Sequence, residues 1–171
     1  MKIVQAKRNM RDFGYSRTAI ITAQACDPSH YPGGTASSMR TRMEKQFHAG
    51  SWQQQRAFSP AVSTTGGRTI WVAGHGATHN ADGKPLDGDF DAQARQCFSN
   101  IAATLAEAGA RLSDLVTMTV FIIDVRYGDR FTAIRKEIFP DGKFPASALI
   151  TVAGFAKPSM LVEIQCVAVA E

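Results

Sequence analysis

Three cysteines in 171 residues is a small number, and Cys26, Cys97 and Cys166 lie far apart. They have neither the CxxC spacing of a zinc site nor the density of a disulfide scaffold, so a reduced, cytoplasmic setting is expected. No apolar run approaches the ~20 residues needed to cross a bilayer. The opening MKIVQAKRNM lacks the apolar stretch of a secretory signal. The phosphate-binding loop, the glycine-rich dinucleotide fingerprint and the nucleophile elbow are missing too. Nothing therefore points to a nucleotide, a flavin, a serine triad or an iron–sulfur cluster, and no cofactor is expected. The chain has no internal repeat and no low-complexity tract.

What is present is the composition of a globular protein, 44% hydrophobic and 20% charged, with a length that suits one domain and a real core. The net charge of +4 is unevenly spread. Residues 1–56 hold nine Lys and Arg against three acids, and residues 57–171 hold ten against twelve. The basic residues are scattered among Gly, Ser and apolar positions, with no basic run and no aromatic platform. A nucleic-acid partner is therefore not expected.

The chain divides near Gln53–Pro60. Upstream, TAIITA (18–23) predicts a short strand and DPSHYPGGTASS (27–38) a loop. Ser38 to Ala49 predicts a short helix, with Met39, Met43 and Phe47 on one face and Gly50 as its stop. Residues 1–56 are read as an ordered basic extension and 57–171 as an α+β domain. Within the domain, Pro60–Thr65 and Arg68–Ala73 flank Gly66-Gly67 as a hairpin would. A loop follows from His75 to Gly88. A helix is predicted from Phe90 to Ala108, capped by Asp89 and ended by Gly109. A strand at Leu115–Ile123, a helix from about Asp129 to Pro140, and strands at 146–153 and 161–169 complete the order. The expected fold is α+β, a single mixed sheet with two helices on one face.

Alternation splits each strand into two sets of side chains. Val116, Met118, Val120 and Ile122 form one apolar set. Ala148, Ile150 and Val152 form another, Val162, Ile164 and Cys166 a third, and Ile70 with Val72 a fourth. These sets suit the face beneath the helices. The opposite sets mix Thr, Ser, Glu and Gln with large apolar residues, a face suited to covering by another subunit.

Glu163 lies mid-strand on that mixed face, where a carboxylate is costly unless paired or used. Gln165 shares its face, and Ser147 and Thr151 are expected to approach it. His75 and His79 lie in GHGATH, a loop by its glycines, and no Cys or carboxylate motif accompanies them to make a metal site. His75 remains a candidate acid or base. Arg135 borders the buried stripe of the second helix, where it is either a solvated charge or a cation for a ligand.

From about Phe58 to Val169, these residues resemble the Rid (reactive intermediate deaminase, YjgF-type) family. The stretches carrying the likeness are WVAGH, the helix DAQARQCFSNIAATLAEAGARLSDLV, TMTVFIID, FTAIRKEIFP, FPAS and VEIQCVAV. The resemblance implies a chorismate-mutase-like α+β fold and a homotrimer with ligand clefts between subunits. It also implies cofactor-free hydrolysis of reactive 2-imino or 2-amino-enoic acids. Glu163 and Gly74 match the family pattern. Ser147 stands where active deaminases carry the arginine that clamps the substrate carboxylate, and a hydroxyl cannot replace a guanidinium there. Ala61 and Ala73 replace two expected hydroxyl residues, and His75 stands where a polar amide is common.

The resulting expectation is a Rid-like hydrolase of a small imine, enamine or related metabolite, different from the usual 2-imino acids. Glu163 and His75 are its candidate catalytic residues. Gly74, Arg135, Ser147, Ala148, Phe121 and Gln165 are its candidate substrate contacts. A non-catalytic trimer that binds a small metabolite is the alternative.

Overall fold

Burial along the last strand shows how the sheet is seated. From Val162 to Cys166 it alternates, with Val162, Ile164 and Cys166 buried and Glu163 and Gln165 turned the other way. In the computed structural model, which describes residues 42–171, this strand lies inside a four-stranded sheet. The elements are β1 (Glu44–His48), α1 (Ser51–Gln55), β2 (Ala61–Thr65), β3 (Arg68–Gly76), α2 (Phe90–Glu107), β4 (Leu115–Ile122), α3 (Gly128–Ile138), β5 (Ala146–Thr151) and β6 (Val162–Ala170). The sheet order is β3-β6-β4-β5, with β4 and β5 parallel and the other pairs antiparallel. A parallel pair needs a crossover, and α3 supplies it. The mixed sheet and its helices are those expected from the sequence.

Helix α2 forms where its periodicity predicts. The Asp89 side chain accepts a hydrogen bond from the Ala92 N–H at 3.0 Å, Asp91 sits in the first turn, and Gly109 leaves the helix with φ +68°. Its buried stripe of Phe90, Ala94, Cys97, Phe98, Ile101 and Leu105 packs on the sheet with Phe131 and Ile134 of α3. Beneath them lie Met118, Val120 and Ile122 of β4, Val162, Ile164 and Cys166 of β6, and Val72 of β3. Burial pushes the Cys166 thiol up to about 12. Burial, with the nearby Glu163 carboxylate adding to it, does the same for Cys97. Neither thiol is a nucleophile at neutral pH.

Several expectations are corrected. Lys45 and Phe47 are half-buried between exposed neighbours, an alternation of period two, and residues 44–48 form strand β1 rather than part of a helix over 38–49. The helix comes later, as the five-residue α1. Gly66 and Gly67 both take positive φ and turn the chain as foreseen. They do not build a hairpin, however: β2 pairs with β1, and β3 pairs with β6. The strand at 68 runs on to Gly76 and takes in His75. A register shift between Leu115 and Thr117 puts Leu115 in the core and leaves Val116 half-buried. On β5 the two faces are the reverse of those expected. Ser147 pairs with Met118 and Leu149 with Val120 on the helix side, while Ala148 and Ile150 pair with Thr119 and Phe121 on the open side. The strand at 18–23, the loop at 27–38, Cys26 and the beginning of the expected helix lie outside the described residues. Among the described residues, no helix is long and apolar enough to cross a membrane.

One buried polar residue fastens the loops to this frame. Gln93, 0% exposed, donates to the Leu86 carbonyl at 3.0 Å and to the Ser159 carbonyl at 2.8 Å, and accepts from the Leu161 N–H at 2.8 Å. Three backbone groups from two loops thus meet one amide. Gln93→Leu leaves all three without their partner and should cost about 3 kcal/mol, because each orphaned buried group carries its own desolvation penalty. Urea unfolding measures this, and a loss under about 0.5 kcal/mol would contradict the assignment.

Candidate functional site

The sheet separates the candidate residues into two groups. Side chains paired across a ladder share a face. Glu163 pairs with Phe121 and Gln165 with Thr119, and Thr119 pairs in turn with Ala148. Glu163, Gln165, Phe121 and Ala148 therefore stand together on the open face. This face carries Trp71, 81% exposed, and Ile150, 43% exposed. Gly74 belongs with them: a Cβ built there would run into Glu163 Oε1. Glycine at 74 is the space in which the glutamate side chain lies. The bulge in the β3–β6 ladder between Val72 and His75 falls at this point.

The second group lies on the helix side. His75 pairs with the buried Ile164 and so turns toward α2. There its Nε2 lies 3.0 Å from Thr104 Oγ1, and its Nδ1 lies 2.8 Å from the Ala73 carbonyl oxygen. It does not share a face with Glu163. Ser147 also faces away from Glu163, contrary to the polar cluster expected around that residue. Thr151 sits on the Ser147 side as well.

Ser147 instead meets Arg135. Arg135 is 3% exposed, and its guanidinium donates through Nη1 to Ser147 Oγ at 2.6 Å and through Nη2 to the Arg56 carbonyl at 2.9 Å. Its carbon lies 5.4 Å from the centre of the Phe131 ring. The Nε–H is buried without a partner. Among the described residues, Arg135 is paired with no carboxylate. Desolvation holds it well below the ordinary guanidinium range, at about 10, with the neighbouring Arg56 charge acting in the same direction. Arg56 has its own acid, Asp129, at 2.8 Å. The solvated-charge reading of Arg135 is thereby overturned: among the described residues it is a buried cation with no carboxylate paired to it.

A cavity of about 220 Å³ opens next to this guanidinium, lined by Arg56, Thr132, Ser147 and Leu149 with Trp52 and Phe58. Sequence reasoning missed Trp52, Phe58 and Thr132. The aromatic Trp52 in SWQQQ, a polar stretch with no core to join, was the signal available for one of them. No group of three or more His, Cys, Asp or Glu side chains among the described residues can hold a metal ion.

A depressed pKa on a base means that folding disfavours its charged form. Burial of Arg135 therefore costs stability at all pH values below about 10, and that cost fades as pH rises through this value. Its hydrogen bonds offset part of the cost. Arg135→Met keeps the bulk and removes the charge, so it should leave stability within about 1 kcal/mol of the parent, or raise it, at pH 7. Chemical denaturation checks this, and a loss of about 3 kcal/mol or more would mark Arg135 as a structural residue.

The comparisons with known proteins agree with this architecture. The sequence profile of the family described as endoribonuclease L-PSP matches residues 51–170. A RutC family protein of Pyrococcus abyssi is 32% identical over 114 residues, covering 67% of this chain and 87% of that protein. A 2-iminobutanoate/2-iminopropanoate deaminase of Bos taurus is 31% identical over 102 residues, covering 60% of this chain and 73% of the relative. Among solved structures, the Rid-family protein YyfB of Yersinia pestis, described as of unknown function, superposes with a TM-score of 0.66 at 25% identity. That match covers 73% of this chain and 98% of the other. With 120 consecutive residues matched, most of its length, this chain belongs to the endoribonuclease L-PSP family, the Rid or YjgF proteins.

Proposed function

We propose that this protein is a Rid-type hydrolase of a small imine or enamine, working without a cofactor in clefts between the subunits of a homotrimer. The observation that carries the reading is the unpaired guanidinium of Arg135 on the Ser147 hydroxyl. Ser147 occupies the position where the family resemblance places the carboxylate clamp. The clamp is not lost but comes from α3, one element away. The small Ser147 side chain leaves room for it and helps to hold it. An anionic ligand would give the buried cation the acid that none of the described residues supplies.

The catalytic carboxylate is Glu163, seated over Gly74. Water adds to the imine carbon and its proton passes to the glutamate. The same carboxyl returns that proton to nitrogen to complete the carbinolamine. It then takes the proton of the new hydroxyl as the carbonyl forms and delivers it to nitrogen as the C–N bond breaks, giving a carbonyl product and ammonia. His75, engaged with Thr104 on the other side of the sheet, is left out of this sequence. Glu163 and Arg135 lie on opposite faces of one sheet, so a single chain does not bring them to one ligand. Two chains can, with the open face of one set against the edge of the next. The exposed Trp71 and Ile150 supply apolar area for such a contact. A cytoplasmic, reducing setting suits the buried free thiols of Cys97 and Cys166.

A non-catalytic trimer that holds a small metabolite is the second reading. Ala61 and Ala73 favour it, since both stand where the resemblance expects hydroxyl groups. Ammonia release from 2-iminopropionate and bulkier analogues, with and without Glu163→Ala, separates the two. Catalysis predicts turnover of at least one analogue, with the variant slower by about 100-fold or more. Binding with no turnover of any analogue would overturn it in favour of the second reading.

A further inference from the structure

The walls of the Arg135 cavity say what the bound anion carries. Two guanidiniums line the cavity, and among the described residues only one lacks an acid. Arg56 is held by Asp129 at 2.8 Å, whereas Arg135 has no acid among the described residues. One free cation calls for one anionic group on the ligand. The remaining walls are the apolar side chains of Trp52, Phe58 and Leu149 and the hydroxyl residues Thr132 and Ser147. Trp52 is 61% exposed on α1, a helix that buries none of its residues. Its only aromatic contact among the described residues is the edge of Phe58, with ring centres 5.6 Å apart and planes at 88°. Leu149, 38% exposed, lines the same cavity. An indole left largely in water beside a cavity is apolar area that a flat ring could cover.

Size narrows the choice. A cavity of roughly 150 Å³ admits benzene, and drug-sized ligands occupy about 300 Å³ or more. At about 220 Å³, the space beside Arg135 takes one ring and a short acidic arm. We propose that this cavity is a subsite for a monocarboxylate bearing a single planar aromatic ring. Its carboxylate sits on Arg135, its ring lies against Trp52, and Trp52 is the specificity-determining residue. The proposal rests on Arg135 as the anion anchor and names the substrate class of that site: the imine or enamine of an aryl-bearing 2-oxo acid.

Calorimetry on the full chain with three 2-oxo acids tests it: pyruvate, phenylpyruvate and the dicarboxylate 2-oxoglutarate. Phenylpyruvate should bind at least about tenfold more tightly than either of the others. Trp52→Ala should collapse the phenylpyruvate-to-pyruvate ratio toward one, and Trp52→Phe should restore most of it. Equal binding of pyruvate and phenylpyruvate would overturn the aryl subsite while leaving the anion anchor standing. Tightest binding of 2-oxoglutarate, or a ratio unmoved in Trp52→Ala, would do the same. If none of the three acids binds, or if Arg135→Met binds them as the parent does, the anchor itself fails and the subsite falls with it.

Discussion

A guanidinium removed from water, with no acid beside it among the described residues, is the constraint on which the proposed function turns. Arg135 is held by a hydroxyl from β5 and a main-chain carbonyl from the end of α1, with the Phe131 ring beneath it. Neutral acceptors of this kind orient a cation without neutralising it. The hydrogen bonds fix where the charge sits, and the absence of a carboxylate leaves its field unspent on the side where a cavity opens. Residues with no obvious kinship, Ser147 on a strand and Arg56 just past a five-residue helix, are drawn together by this single side chain.

The sheet keeps Glu163 apart from this cation. One face is closed by α2 and α3 over a largely apolar core, and the other carries Glu163, Gln165, Phe121 and an exposed Trp71. A carboxylate can sit on the open face because Gly74 offers no side chain to displace it. On that face it is half-buried and still accessible, as the proton relay proposed for it requires. The cation is on the closed side near the β5 edge. The proposed trimer would join the two through a neighbouring chain, with the anchor on one wall of a cleft and the base on the other.

Much of the fold was legible because burial patterns are written with the period of the element. The helix from Phe90, its Asp89 cap and the strands at 115 and 162 fall within a residue or two of where periodicity puts them. β5 misled because its alternation carries no information: Ala148 and Ile150 are apolar, and so is Leu149 between them. Its faces were set instead by parallel register with β4 and by Arg135 reaching Ser147, which are long-range facts. The 44–48 strand was hidden by Met39, Met43 and Phe47, whose spacing mimics a helix. Gly66-Gly67 announced a turn correctly but not the partner strand, because local turn chemistry does not choose the ladder.

The site was legible in part. Glu163 stood out as a charge in an apolar strand, and the resemblance to the Rid proteins pointed to the missing clamp at Ser147. Arg135 could be singled out from its place on the helix, but the sequence could not show its burial or its lack of an acid among the described residues. Trp52 and Phe58 could not be assigned at all, since their meeting beside Arg135 depends on how the chain before β2 returns to α3. The most direct test of the central claim is the NMR signal of the Arg135 side-chain N–H groups, assigned by its loss in Arg135→Met, as a 2-oxo acid is added. The account predicts that these protons shift downfield and exchange more slowly with water as the carboxylate closes on them. An unchanged Arg135 signal in the presence of bound 2-oxo acid would contradict it.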